Sequence, residues 1–382
     1  MNTKLKRRPH TMRVSELKAW LRRSFELTRA KWDRSRPSRR YYDCFIAGPP
    51  GSGKSSAVMQ AVKEAAADLL VIIAVTASPT DARGFPSPNK QRTAADFLPY
   101  GDIQTMMSAT SLLVVFLDDF GQAKDAVQAS YMQLVLTREI NGFKIPDCVV
   151  FVLATNRRED RAAVRGILEP MKSRPLTILE LEPDHEEWCQ YMLRTEPKSQ
   201  HLSDVVGFIR YLPKYFLKFV PTADMVNSPL PRTWDNVLGI LVDYTDAPGI
   251  SPQMIDNGIL GAVGSEAQKL LQGYLRIRSE LPDIPSLIND AAARADFDIA
   301  NASPSAMYAI VTAMAMHTTA HNFHGVGHFA QLLHEANRDE YAACLLRDCM
   351  LDEAVCMSPA FASIVTGELA TLVGISNTNG GN

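Results

Sequence analysis

The sequence predicts an α/β fold, a parallel sheet with helices on both faces, followed by a helical C-terminal half. Three observations predict it. Short apolar, β-branched runs alternate with helix-period segments as far as residue 182, and a glycine-rich loop joins the first such run directly to a helix. From Pro183 onward, helix-period segments follow one another without strands between them.

In chain order, Val14–Trp32 carries Val14, Leu17, Trp20, Leu21 and Phe25 at helical spacing with Arg and Lys between them. This predicts an amphipathic helix docked on the core with its basic face outward. Ser35–Arg40 reads as a linker, Tyr41–Ala47 as a strand, and Ser55 to about Asp68 as the helix after the glycine-rich loop. Leu69–Thr76 reads as a second strand, and Ala77–Tyr100, with four prolines, as an excursion lacking regular structure. A third strand, Leu112–Leu117, ends in Asp118 and Asp119, and Ala126–Glu139 reads as a helix. Cys148–Ala154 is a fourth strand, ending in Thr155-Asn156, and Thr177–Leu181 a fifth. Asp184 with Glu187 suggests a capped helix start. The expected regions are a basic arm and helix (1–40), a nucleotide-binding core (41–182), an α-helical lid (183–285) and a C-terminal helical region (286–382) with a disordered tail.

The chain has 382 residues and a net charge of −2, but residues 1–40 hold fourteen Lys or Arg against three acids. That segment is +11 and the remainder −13, so the arm suits an acidic neighbouring subunit or, as a weaker reading, nucleic acid. The six cysteines include no CxxC pair, and no apolar run reaches membrane-spanning length. A reduced, cytoplasmic protein without membrane contact is the expectation.

Gly48-Pro49-Pro50-Gly51-Ser52-Gly53-Lys54-Ser55, with Ser56 following, fits G-x-x-x-x-G-K-[ST] throughout. Such a loop turns backbone N–H groups around phosphate, its Lys adds positive charge, and its Ser places a hydroxyl on Mg²⁺. ATP and Mg²⁺ are therefore the expected ligands. Sixty-four residues after Lys54, Asp118 ends a buried strand where a carboxylate reaches the Mg²⁺ shell. Asp119 is placed to orient or deprotonate the attacking water, and Asn156, at the next strand end, to hold that water or touch the γ-phosphate.

These stretches, with SPTDARGFP (78–86), FLDDFGQAKDAVQASYMQLVLTREINGFKIPD (116–147), LATNRRED (153–160), ILEPMKSRP (167–175) and LPRTW (230–234), resemble the AAA+ superfamily. Within it the sequence is similar to the MoxR-like ATPases, in a branch carried by phages and prophages. The resemblance runs from about Val14 to Pro285. It implies that Asn156 is the first sensor, Arg174 an arginine finger inserted into a neighbour's site, and Arg232 the second sensor on the lid. It further implies a homo-oligomeric, usually hexameric ring that remodels a protein client, often beside a von Willebrand factor A domain partner. The segment 77–105 takes the place of an insertion directed toward the pore or the substrate. Two positions depart from the pattern: Asp119 stands where Glu is usual, and Pro175 follows Arg174 where Phe is usual. The shorter acid keeps open a nucleotide-gated switch with little turnover, and Arg157, Arg158 and Arg165 are alternative fingers. A DNA-directed motor or loader is a further reading, resting on the basic arm alone.

His317, His321, His324 and His328 fall within twelve residues, with His317 and His321 one helical turn apart. Without the Glu of HExxH, and with Gly325 and Gly327 expected to interrupt the helix, a polar helix end is the expectation rather than a zinc site. The apolar stripes in Met307–Met316 and Tyr341–Leu351 read as core.

Overall fold

The computed structural model of the chain describes residues 11–157, 166–222 and 224–374. It comprises two compact units, Met1–Asp184 with Phe219–Ala223, and His185–Lys218 with Asp224–Asn382. The tail Ser376–Asn382, Arg158 and Arg165 lie outside the described residues.

The strands of the first unit are β1 Thr11–Met12, β2 Cys44–Gly48, β3 Asp68–Ile73, β4 Phe85–Pro88, β5 Ala95–Leu98, β6 Leu113–Asp118, β7 Glu139–Ile140, β8 Phe143–Lys144, β9 Val149–Asn156 and β10 Thr177–Leu181. Its helices are α1 Val14–Trp32, α2 Lys54–Glu64, α3 Pro79–Arg83, α4 Gly101–Met107, α5 Asp125–Thr137 and α6 Glu169–Lys172. Six strands form one sheet in the order β1-β10-β2-β9-β6-β3, every neighbouring pair parallel. The five strands read from the sequence are its body. The sixth, β1, is a two-residue edge pairing Thr11 and Met12 with Glu180 and Leu181, too short to leave a sequence pattern.

Strands β6 and β9 are buried on both faces, which is why they read as unbroken apolar runs. One face packs on Leu17, Leu21 and Phe25 of α1 with Ala57, Val58 and Ala61 of α2. The other packs on Ile103 and Met106 of α4 with Val127, Tyr131 and Leu134 of α5. Each of these larger side chains contributes about 1.5–3 kcal/mol by leaving water.

Some expectations need correction. Trp20 is not part of the docked stripe of α1; it is 39% exposed, because the buried line runs through Leu17, Leu21, Ser24, Phe25 and Thr28. Helix α2 stops at Glu64 rather than near Asp68, and β3 begins at Asp68. At the sheet edge β3 buries Ile72 but leaves Val71 and Ile73 exposed. The proline-rich excursion is not irregular: after α3 it forms an antiparallel hairpin, Phe85 opposite Leu98 and Pro88 opposite Ala95. Pro86 and Pro88 are tolerated because this two-stranded ribbon has free edges. A second hairpin, β7–β8, turns on Asn141 (φ 47°) and Gly142 (φ 83°), the left-handed pair that a tight turn requires.

The second unit contains helices α7 His185–Thr195, α8 Gln200–Tyr211, α9 Pro231–Tyr244, α10 Pro252–Ser279, α11 Ile284–Asn289, α12 Ala291–Asp296, α13 Pro304–His317, α14 Phe323–Glu335, α15 Asp339–Cys349, α16 Glu353–Cys356, α17 Pro359–Ile364 and α18 Gly367–Leu372. Local sequence fixes several starts. In Ser251-Pro252, Ser303-Pro304 and Ser358-Pro359 the serine hydroxyl accepts an N–H from the first turn, while the proline occupies a position with no N–H to satisfy. One core gathers around Phe208, Trp234 and Tyr274, another around Met307, Phe329 and Leu345. The stripes of α13 and α15 are core, as expected.

The histidine segment differs from its reading. Helix α13 ends at His317 and His321 lies in the following loop, so the two do not share a helical face. Gly325 and Gly327 do not interrupt α14; they let it pack closely. A Cβ on Gly325 would stand 1.8 Å from the Ile288 carbonyl oxygen, and one on Gly327 2.7 Å from Ile364 Cγ2. Among the described residues no cluster of three His, Cys, Asp or Glu suits a metal ion.

Candidate functional site

The loop after β2 turns on Gly51 (φ 64°) and Gly53 (φ 89°), and α2 starts at Lys54. Gly48 lies tight against β10: a Cβ there would meet the Leu181 carbonyl oxygen at 3.0 Å. The parallel register sets Asn156, the last residue of β9, opposite Gly48. Lys54 Nζ donates to the carbonyls of Gly48 (3.0 Å) and Pro49 (2.8 Å) and to Asn156 Oδ1 (2.7 Å). One position on, Ser55 Oγ donates to Asp118 Oδ2 at 2.7 Å, and Asp118 Oδ1 accepts the Asp119 N–H at 2.9 Å. Lys54, Ser55, Asp118 and Asn156 therefore meet at the carboxyl ends of β2, β9 and β6. The strands carrying the loop and Asp118 are not neighbours; β9 lies between them and contributes Asn156.

The remaining loop residues differ in exposure. Pro49, Gly51 and Ser52 are buried, Pro50 and Gly53 half-buried, and Ser56 exposed. Ser52 Oγ is buried without a hydrogen-bond partner among the described residues. Such a hydroxyl costs free energy unless something arrives to bond it. Asp119 has left-handed backbone (φ 53°) and its Oδ1 accepts from Gln122 Nε2 at 3.0 Å. Gln122, three residues beyond the acid pair, belongs to no site pattern that sequence alone marks.

Arg174 and Arg157 are bonded within the first unit. Arg174 Nε donates to the Met132 carbonyl (2.9 Å) and its Nη1 to the Pro170 carbonyl (3.2 Å), so its root is tied to α5 and α6. Pro175 is buried. Arg157 pairs with Glu180 at 3.3 Å. Arg232 is exposed on the first turn of α9, in the second unit.

Below the loop, Asp43 is buried and accepts both the Arg138 guanidinium (2.6 and 2.8 Å) and the Phe151 N–H (2.8 Å). This ties the foot of β2 to the early part of β9 and to the end of α5.

The donor set suits a magnesium nucleotide. Mg²⁺ takes oxygen ligands, usually one or two from protein with the rest from phosphate and water. A hydroxyl and a carboxylate oxygen 2.7 Å apart beside a buried ammonium group provide that pairing.

Residues 44–169 match the family model described as ATPase family associated with various cellular activities (AAA). Among solved structures, the chain is similar to the RuvB Holliday junction branch migration motor of Thermotoga maritima, at 16% identity and a TM-score of 0.38, over 74% of this chain and 79% of that one. A point variant of that RuvB aligns over 93% of this chain and 90% of its own, at 14% identity and a TM-score of 0.33. A search of curated proteins finds no match. Among the described residues no helix is long and apolar enough to cross a membrane. With its P-loop, parallel sheet and family match over residues 44–169, the chain carries an AAA-family ATPase domain and is an ATP-hydrolysing enzyme.

Proposed function

We propose that the chain binds MgATP at Gly48–Ser56 and hydrolyses it within a homo-oligomeric ring, using the cycle to remodel or assemble a protein partner in the manner of MoxR-like ATPases. The observation that carries this reading is the convergence of Lys54, Ser55, Asp118 and Asn156 through hydrogen bonds of 2.7–3.0 Å. Lys54 exchanges its neutral acceptors for β- and γ-phosphate oxygens, and Ser52 Oγ gains a phosphate acceptor. Ser55 and Asp118 hold Mg²⁺, which when bound neutralises charge on the phosphates. Asp119 accepts a hydrogen bond from the attacking water, and Asn156, released by Lys54, steadies that water or the γ-phosphate. Water oxygen bonds to the γ-phosphorus, the bond to the β-bridging oxygen breaks, and ADP and phosphate leave with the water's proton on phosphate.

Arg174 serves the neighbouring subunit. Its Nε and Nη1 are anchored on carbonyls, which stiffens the side chain for presentation of its guanidinium edge to charge developing at a γ-phosphoryl group. Arg232 is the nucleotide-sensing arginine of the helical region. The β4–β5 hairpin is the contact for a protein client, possessing exposed Phe85 (61%) and Leu98 (55%) beside Tyr100 (52%). A von Willebrand factor A domain protein is one partner class for it.

Hydrolysis per subunit, measured against protein concentration, tests this reading. A steep rise with assembly that Arg174→Ala abolishes supports it. A flat rate at a few turnovers per hour favours the nucleotide-gated switch. Mixing Arg174→Ala subunits with Lys54→Ala subunits should restore activity, since each supplies what the other lacks.

A second reading, a nucleic-acid-directed motor, is favoured by one observation. Most basic residues of α1 are engaged within the chain: Lys18 and Arg22 with Glu64, Arg29 with the Ala65 and Ala66 carbonyls, Lys31 with Asp147. Arg34, Arg36, Arg39 and Arg40, all exposed beside Trp32, have no ion pair among the described residues. If they hold phosphates, binding of a DNA oligonucleotide falls with salt, and replacing all four by Gln lowers the log–log slope by about three to four. Absence of such binding removes this reading.

A further inference from the structure

Gln122 closes two bonds on Asp119. It ends a one-turn 3-10 helix, Phe120–Gln122, and its N–H donates to the Asp119 carbonyl at 3.0 Å. Its side-chain Nε2 donates to Asp119 Oδ1, also at 3.0 Å. Asp119 itself has φ 53°, a left-handed backbone state that an L residue adopts at a cost and keeps where its surroundings hold it. The same amide carries an unmet need: Gln122 Oε1 is buried and has no partner among the described residues.

Gln128, six residues further on, shows what a purely architectural glutamine looks like in this fold. It is fully buried, its Nε2 donates to the carbonyls of Ala123 (3.2 Å) and Gly166 (2.9 Å), and its Oε1 accepts the Leu168 N–H at 3.0 Å. Both ends are satisfied, as burial demands. Gln122 satisfies only the end that faces Asp119. Rotating the amide would not relieve this, because it would set oxygen against carboxylate oxygen.

We propose that Gln122 is a positioning residue for Asp119: its amide N–H fixes the carboxylate that orients the attacking water. The proposal rests on the reading of Asp119 given above. An aspartate is one methylene shorter than glutamate and swings on a shorter arm. Here the left-handed backbone and the Gln122 tether together set the direction of its carboxylate. Gln122 touches neither nucleotide nor water in this role; it acts through Asp119 alone.

Steady-state ATP hydrolysis by the full assembled chain is the test. Gln122→Ala should lower kcat about tenfold or more while KM for ATP stays within about twofold, because the tether concerns the water and not the phosphate grip. Gln122→Glu, nearly isosteric but without an N–H to donate, should fall as far, which separates loss of the bond from loss of packing. In an Asp119→Asn background, Gln122→Ala should cost little further, the two losses being one loss. Unchanged kcat, a rise in KM at constant kcat, or fully additive losses would each overturn the proposal. An active wild type indifferent to both Gln122 variants sinks the proposal alone, whereas a wild type that neither binds nor hydrolyses ATP removes the site reading with it.

Discussion

Lys54 in the first unit and Arg210 in the second are both nearly buried cations, 7% and 4% exposed, in opposite surroundings. Arg210 spends all five of its N–H donors: Nε and Nη2 on Glu186, Nη2 and Nη1 on Asp348, and Nη1 on Thr312 Oγ1. Asp348 is as deeply buried, so each charge answers the other. Lys54 instead leans on two main-chain carbonyls and an amide oxygen, neutral acceptors that an anion displaces, and Ser52 Oγ nearby has no described partner. Arg210 answers two carboxylates and so ties helices together, whereas Lys54, whose three N–H groups are also engaged, bonds here to neutral oxygens that a phosphate would displace. The charge of these acceptors separates the two sites where burial alone does not.

The largest effect that sharpens this contrast is on Lys54. Lys54→Ala should reduce ATP hydrolysis by on the order of a hundred- to a thousandfold, yet shift stability by no more than about 1 kcal/mol. Coupled phosphate-release kinetics and urea unfolding of the same preparation read the two quantities. Heavy destabilisation would break the contrast, since it would make Lys54 a structural ion as well. Arg210→Met should do the reverse. It leaves Asp348 buried without its partner and should cost roughly 3–5 kcal/mol, seen as an earlier urea transition. A loss under about 1 kcal/mol would show that Arg210 does not hold this unit together.

Smaller changes probe how far stability in the second unit depends on close fit. Gly325→Ala should destabilise by about 1–3 kcal/mol, because the backbone at Ile288 must move to admit the methyl group. Thermal unfolding checks it, and an unchanged midpoint would mean that α11 slides freely past α14. The smallest effect concerns an open counterpart of the Arg210 cluster. His334 lies between Asp339 (2.6 Å) and Glu368 (2.7 Å), and its bonds to these two carboxylates raise its pKa above the ordinary 6.5. Since the folded-state pKa exceeds the unfolded one, the stabilisation is complete below the unfolded pKa and is lost as pH rises through the folded one. Hydrogen exchange of α18 amides, corrected for intrinsic rates, should show greater protection near pH 6 than near pH 8, and His334→Gln should flatten that difference.

Much of the first unit was legible because its signals are local. Apolar runs at β6 and β9 announce strands buried on both faces, and Gly51 and Gly53 mark a loop with left-handed turns. The proline-rich segment 77–100 reads as irregular from sequence yet forms a hairpin, because proline argues against an interior strand but not against a two-stranded ribbon. Gly325 and Gly327 read as helix breakers from sequence yet lie inside α14, because intrinsic propensity is weak and tertiary packing overrides it. Gln122 gave no signal, since a glutamine beside two acids reads as surface until its amide is seen bonded to Asp119.

By itself the sequence determined the phosphate loop, the acid pair and the order of strands along the chain, because backbone freedom, side-chain charge and alternation belong to each residue. Tertiary structure alone decided which strand separates the loop from Asp118, that Lys54 meets Asn156 102 residues away, and that Arg210 finds Asp348 138 residues on. An arginine or an aspartate announces a charge but not a partner. The partner is fixed when the chain closes on itself and leaves each buried charge a single place to go.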